Sequence, residues 1–213
     1  MDVLQPELQQ YAEQHTSPEP ELLAAINRDT YAHVMMPRML SGHLQGRVLA
    51  MISKMLRPNA ILEIGTFTGY SALCFAEGLA EGGKLVTIDK NGELEEKVRR
   101  NFEAAGLADT IDYRIGNAMD IIPSLDMSFD LVFIDADKEN YSNYYDMLID
   151  KLNLNGFMLA DNVLWSGKVL DKNGDKDTEA IKTFNKKVTD DQRVENVLLP
   201  IRDGIMMIRK LSL

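Results

Sequence analysis

Ile61-Leu-Glu-Ile-Gly-Thr-Phe-Thr-Gly-Tyr-Ser71 is the stretch that decides the fold. An apolar run leads into a turn carrying Gly65 and Gly69, and a helical pattern follows, so the segment reads as strand, turn, helix. Glycine lets such a turn bend sharply and lets a ligand approach the backbone. The spacing is Glu63-x-Gly65-x-x-x-Gly69, not the G-x-G-x-x-G that seats a pyrophosphate on a helix N-terminus. An acid at the strand end repels a pyrophosphate and favours an ammonium or a hydroxyl. The spacing therefore points to a nucleoside ligand that lacks phosphates and carries a cation, a description S-adenosylmethionine fits. About 20 residues further on, a second strand-like run ends at Asp89, where a carboxylate can accept both ribose hydroxyls. The missing fingerprint weakens a nicotinamide-dependent oxidoreductase.

Working outward, short apolar runs alternate with amphipathic stretches. The runs are Ala60–Ile64, Lys84–Ile88, Ile111–Ile115, Leu131–Ile134 and Phe157–Ala160. Helical patterns lie between them at Tyr70–Leu79, Glu93–Ala105, Met119–Leu125 and Tyr141–Leu152. This alternation predicts an α/β fold with a parallel sheet covered by helices on both faces. A helix near Asp177–Thr189 precedes two more strands, Arg193–Leu199 and Ile205–Lys210, with the hairpin signal Asp203-Gly204 between them. The expectation is a single domain over 1–213 with about seven strands, the last antiparallel. Residues 58–213 form its Rossmann-like core, and 1–57 an N-terminal helical cap. In that cap Ser17-Pro18-Glu19 reads as a helix start and Ser41 as a second one. Residues 165–177 read as a loop able to cover a site.

The chain has 213 residues, 45% hydrophobic and 26% charged, which excludes a disordered chain or a disulfide-built mini-protein. Its 33 acidic against 23 basic residues, net charge −10, count against nucleic acid and anionic membrane as default partners. One cysteine, Cys74, excludes an intrachain disulfide and reads as a buried, inert thiol. The opening Met1-Asp-Val-Leu-Gln-Pro-Glu7 lacks the basic and apolar regions of a secretion leader, and no apolar run is long enough to span a membrane. A soluble, cytoplasmic protein is expected.

A second cluster lies on later strands, in Phe129-Asp-Leu-Val-Phe-Ile-Asp-Ala-Asp-Lys138 and Gly156-Phe-Met-Leu-Ala-Asp-Asn162. Neighbouring parallel strands ending in Asp135 and in Asp161-Asn162 bring two carboxylates and an amide oxygen to one rim. Such hard oxygens suit Mg²⁺, and the same pattern suits an ordinary strand-end turn. Lys138, three residues past Asp135, either faces that rim or is a solvated charge. Trp165 either stacks on an aromatic acceptor or packs on the sheet edge. Tyr141, Tyr144 and Tyr145 read as packing residues, and His33 and His43 as surface or capping residues.

Taken together, Met39-Leu-Ser-Gly-His-Leu-Gln-Gly46, Leu62–Ser71, Val86-Thr-Ile-Asp89, Phe129–Lys138, Asp161-Asn-Val-Leu-Trp-Ser-Gly167 and Pro200-Ile-Arg-Asp-Gly204 span nearly the whole chain. With them the chain resembles the cation-dependent O-methyltransferases, the catechol and caffeoyl-CoA enzymes, on their bacterial, caffeoyl-CoA-like side. These are class I S-adenosylmethionine-dependent methyltransferases. The resemblance implies that Glu63, Gly65 and Ser71 hold the amino-acid end of the cofactor and that Asp89 binds its ribose. Met39 and Ser41 line the pocket, and Ala118 meets adenine. Thr66, Phe67, Lys90 and Asp135 complete the cofactor set. Asp135, Asp161 and Asn162 are the implied ligands of Mg²⁺, or of Mn²⁺ or Ca²⁺, and Lys138 is the implied base, with Asp135 beside it. Trp165 and Lys138 face the acceptor, a small hydroxylated aromatic molecule, and a homodimer is expected. Pro200 stands where the animal catechol enzymes carry an acceptor-binding carboxylate.

Two other readings share these residues. One is a methyltransferase for a hydroxylated uridine in tRNA, favoured by Lys168, Lys172, Lys176, Lys182, Lys186 and Lys187 near the 165–177 loop. The other is a non-catalytic cofactor-binding or scaffold protein.

Overall fold

The computed structural model describes residues 5–212; the leader reading of Met1–Leu4 falls outside them. Its residues fall into two compact units, one of residues 7–118 and one built on residue 119 onward.

The first unit opens with the helices α1 (Pro6–Gln14), α2 (Glu21–His33) and α3 (Gly42–Leu56). The expected start at Ser17 is displaced: α2 begins after Pro20, which sits at the N-cap with extended backbone. Two prolines, Pro18 and Pro20, bar the intervening residues from helix, because each disfavours helical backbone in the residue before it. Ser41 does precede α3, but in helical conformation and without a side-chain cap. The strands β1 (Ala60–Ile64), β2 (Lys84–Asp89) and β3 (Ile111–Ile115) pair in parallel, with Glu63 beside Thr87 and Asp89 beside Ile115. Most of β1 is buried, which is why it reads as an unbroken apolar run. The helix α4 (Tyr70–Ala76) stops three residues short of the expected Leu79. In α5 (Glu95–Ala104), Val98 and Phe102 bury one face, while Glu95 and Glu96 sit in the first turn, where the helix dipole favours acid.

The second unit begins in the short helix α6 (Ala118–Ile121) and carries β4 (Phe129–Ile134), α7 (Tyr141–Ile149), β5 (Leu152–Asp161), α8 (Lys176–Asp190), β6 (Val194–Leu199) and β7 (Ile205–Lys210). β5 is more than twice the expected length, ten residues against the four of Phe157–Ala160. Its first half, Leu152-Asn-Leu-Asn-Gly156, carries turn-forming residues that hide a strand in the sequence. The register with β4 shifts there, Leu152 facing Phe129 and Phe157 facing Leu131. β7 runs antiparallel to both β5 and β6, as the hairpin signal predicts. Its turn is not the two-residue Asp203-Gly204 kind: Ile201 and Gly204 close it, and the left-handed residues are Arg202 and Gly204. The strand order is β3-β2-β1-β4-β5-β7-β6, a mixed seven-stranded sheet with helices on both sides.

The helix α8 is started by Asp175, whose carboxylate accepts from the Thr178 N–H at 2.9 Å. It buries Ile181, Phe184 and Val188. Phe184 meets Tyr141 and Tyr145 edge-on, with ring centroids 5.4 and 6.3 Å away. All three rings are fully buried. Phe184→Ala is expected to cost about 3–5 kcal/mol, the range for emptying a buried aromatic site. Urea unfolding followed by circular dichroism measures it, and a variant as stable as the parent contradicts this packing.

Candidate active site

The glycine turn is held from several sides within the first unit. The Gly65 N–H donates to the Ile88 carbonyl at 2.9 Å, and the Gly69 N–H to the Thr66 carbonyl at 2.8 Å. Gly65 has φ of 103° and Gly69 82°, values that exclude most other residues. Thr30 of α2 donates to Thr68 of the turn at 3.2 Å, and the Asn101 amide of α5 donates to the Thr68 carbonyl at 3.0 Å.

Glu63 is wholly buried at the end of β1. Its strand neighbour Thr87 donates to Glu63 Oε2 at 2.5 Å. Since the Thr87 proton goes to the carboxylate, the 2.6 Å contact between Thr66 and Thr87 has Thr66 as donor. This relay was missed in the sequence, although the parallel register of β1 and β2 brings Thr87 to Glu63. Asp89 accepts the Phe67 N–H at 2.8 Å through one oxygen and the Asn91 N–H at 2.9 Å through the other. Each of those oxygens keeps a second lone pair, so the carboxylate stays able to take ribose hydroxyls. These residues fit a cationic nucleoside: buried acid at one strand end, an acceptor pair at the next, and a glycine turn between. Ser71 is buried in the first turn of α4, and Ser41 and Ala118 are buried. Met39 is 57% exposed, and Lys90 is exposed.

In the second unit, Lys138 is the centre of the oxygen cluster. Its ammonium donates to Asp135 Oδ1 at 3.1 Å, to Asn162 Oδ1 at 2.8 Å and to the Tyr141 hydroxyl at 2.6 Å. Lysine has three N–H donors, and each is used. That matters because Lys138 is buried, and an unpaired ammonium there costs several kcal/mol. Tyr141 is itself fully buried, and its hydroxyl turns to the Asp161 and Ile134 carbonyls, at 2.9 and 3.2 Å. Burial, reinforced by the carboxylates of Asp135 and Asp161, pushes the Tyr141 pKa far up, so it stays a proton donor. The expected packing role of the tyrosines is met and extended: Tyr144 also donates to Asp137 at 2.7 Å, and Tyr145 to Asp191 at 2.8 Å.

Asp161 is buried at the end of β5, and its Oδ1 accepts the N–H of Asn162 at 2.8 Å. Two carboxylates and an amide oxygen thus end adjacent strands, and two of the three already converge on one positive charge. This donor set fits a hard divalent cation. Among the described residues, no three His, Cys, Asp or Glu side chains group to hold a metal, so the amide oxygen is essential to any such site.

After Asn162 the expected loop is a broken turn of 3₁₀ helix over Trp165–Leu170, interrupted by left-handed Ser166 and Gly167. The Lys138 ammonium stands 5.9 Å from the Trp165 ring centroid and that of Lys168 6.0 Å, so the ring lies within cation–π reach of both.

The strand order and the glycine turn define the class I methyltransferase fold, and comparison with known proteins makes the family plain. The O-methyltransferase family model matches residues 13–211. Caffeoyl-CoA O-methyltransferase 1 of Eucalyptus globulus is 35% identical over 91% of this chain and 83% of its own length. The Mesembryanthemum crystallinum enzyme of the same type is 36% identical over 91% and 81%. An O-methyltransferase from Bacillus cereus, solved with S-adenosylhomocysteine, superposes with a TM-score of 0.88 at 28% identity, covering 96% of this chain and 97% of that one. A methyltransferase from Podospora anserina, also solved with S-adenosylhomocysteine, gives 0.90 at 26% identity over the full length of both. The chain belongs to the O-methyltransferase family and is an S-adenosylmethionine-dependent O-methyltransferase.

Cys74 takes no part in this chemistry. Burial pushes its thiol up to about 12, against the pull of Arg47. The native protein is expected to resist N-ethylmaleimide at pH 7 and to react once unfolded in urea. Fast labelling of the native protein contradicts the burial.

Proposed function

We propose that the enzyme transfers the methyl group of S-adenosylmethionine to a hydroxyl of a small catechol-like or caffeoyl-type acceptor, with Mg²⁺ or a similar divalent cation, as a cytoplasmic homodimer. The observation that carries the metal-dependent reading is the convergence of Asp135 and Asn162 oxygens on a single buried cationic point, with Asp161 next in the chain. The acceptor class follows from the caffeoyl-CoA O-methyltransferases among the relatives. The dimer and the cytoplasmic setting rest on the family resemblance.

Asp135, Asp161 and Asn162 would hold the cation. Bound there, it lowers the pKa of an acceptor hydroxyl. Glu63 and Asp89 orient the cofactor through its ammonium and its ribose, with Thr87 and Thr66 fixing Glu63 in turn. The methyl leaves a sulfonium, so the acceptor oxygen must be aligned with it, and much of the acceleration comes from holding the reactants in place. Lys138, when neutral, takes the hydroxyl proton at Nζ, and Tyr141 keeps Nζ aimed. Trp165 offers a flat face to an aromatic acceptor.

The tRNA reading loses support at five of its six lysines. Lys168, Lys176, Lys182, Lys186 and Lys187 are each paired with an acid, on Asp175, Glu139, Glu179, Asp190 and Asp146. Charges neutralised in this way leave little for a phosphate backbone.

Radiolabelled methyl transfer tests the proposal, with catechol, caffeoyl-CoA and total tRNA as acceptors. Transfer to catechol or caffeoyl-CoA is expected, lost in EDTA, restored by Mg²⁺, and absent with tRNA. Full activity in EDTA removes the metal. Lys138→Ala is expected to lower kcat by about 10²–10⁴, the usual contribution of a general base. Wild-type turnover by that variant removes the base.

A further inference from the structure

We infer that Asp203 is a positioning residue for the acceptor side of the site, holding the loop that carries Asn162 and Trp165; this rests on the function proposed above. That loop is unusually bent. Asn162, Trp165 and Ser166 have φ of 59°, 48° and 55°. Asparagine tolerates this left-handed region, but tryptophan and serine rarely enter it. Residues persist there only when their surroundings over-determine them, and such strain gathers at functional sites.

The surroundings here are the turn between β6 and β7. The Leu164 N–H donates to the Asp203 carbonyl at 2.9 Å, and the Val163 N–H to the Gly204 carbonyl at 3.1 Å. The Asp203 side chain makes the third bond, its Oδ1 accepting the N–H of left-handed Ser166 at 2.6 Å. This bond to a charged acceptor is the one that reaches past Trp165 and closes the bend behind it. Gly204 leaves the loop its room: a Cβ there would lie 2.5 Å from Leu164 Cγ. The Asn185 amide holds the other side, donating to the Val163 carbonyl at 2.9 Å. Two turns distant in sequence thus fix one conformation, and with it the direction of the Asn162 oxygen and the Trp165 ring. Asp203 acts through Ser166 rather than on the cofactor or the acceptor itself.

Trp165 is the protein's single tryptophan, so its fluorescence reports on this loop alone. In Asp203→Ala, Trp165 emission is expected to shift to the red and to become more accessible to acrylamide. The KM for catechol is expected to rise about tenfold, the loss of one hydrogen bond to a charged group. The Kd for S-adenosylhomocysteine and the thermal midpoint are expected to stay close to the parent's. Asp203→Asn keeps an oxygen facing Ser166 and is expected to restore both emission and KM. If Asp203→Ala does not fold, Asp203→Ser replaces it, since its oxygen stands one bond too short to reach. Unchanged emission and quenching overturn the clamp, as does a loss that Asp203→Asn fails to rescue. Altered emission with unchanged catechol KM overturns its role for the acceptor. A parent enzyme that methylates no catechol or caffeoyl-CoA sinks the acceptor reading, while the emission result still decides the clamp.

Discussion

A buried ammonium with every donor occupied is the constraint on which the second unit's chemistry depends. Lys138 joins the end of β4, through Asp135, to the residue after β5, through Asn162, and to α7 through Tyr141. Removing any one acceptor leaves a donor unmet in the interior, at a cost of about 1–3 kcal/mol or more for a charged group. Two adjacent strand ends and a helix are thereby fixed relative to one another by a single side chain. The tyrosine cluster continues the arrangement into the core. Tyr141 spends its proton on the Asp161 backbone, and its ring packs edge-on against Phe184 of α8. The polar rim and the aromatic core are two ends of one packed assembly.

The same economy shapes the first unit. Its glycine turn places few side chains near a ligand and many backbone groups. The carboxylates that remain, Glu63 and Asp89, are oriented by hydroxyls and amides before any ligand arrives. Preorganisation of this kind means that binding need not first order the site. The acid excess of the chain acquires a meaning here. Acids such as Glu77, Glu95 and Asp191 pair with nearby arginines, while Glu63, Asp89, Asp135 and Asp161 stand where positive charge is expected.

Much of this was legible in the sequence. A buried central strand gives an unbroken apolar run and a half-exposed edge strand an alternating one, and both β1 and β3 keep the bounds read from those patterns. Motif residues at strand ends fell where the alternation put them. What stayed hidden depended on contacts between distant segments. The first half of β5 carries asparagines and a glycine, and its pairing with β4 there is Leu152 opposite Phe129, before the register shifts. Thr87 looks like any strand threonine until the register sets it beside Glu63. Asp203 looked like a hairpin residue; its carboxylate instead serves a loop 37 positions away. The lysines near 165–187 suggested an RNA surface because a sequence shows charge and not its pairing.

The proposed divalent-cation site of Asp135, Asp161 and Asn162 can be probed with Mn²⁺, whose binding electron paramagnetic resonance follows. One bound Mn²⁺ per chain is expected, competed by Mg²⁺ and lost in Asp135→Ala and Asp161→Ala variants that keep their affinity for S-adenosylhomocysteine. Mn²⁺ that remains free in solution with the parent enzyme, or that binds equally well to both variants, would contradict it.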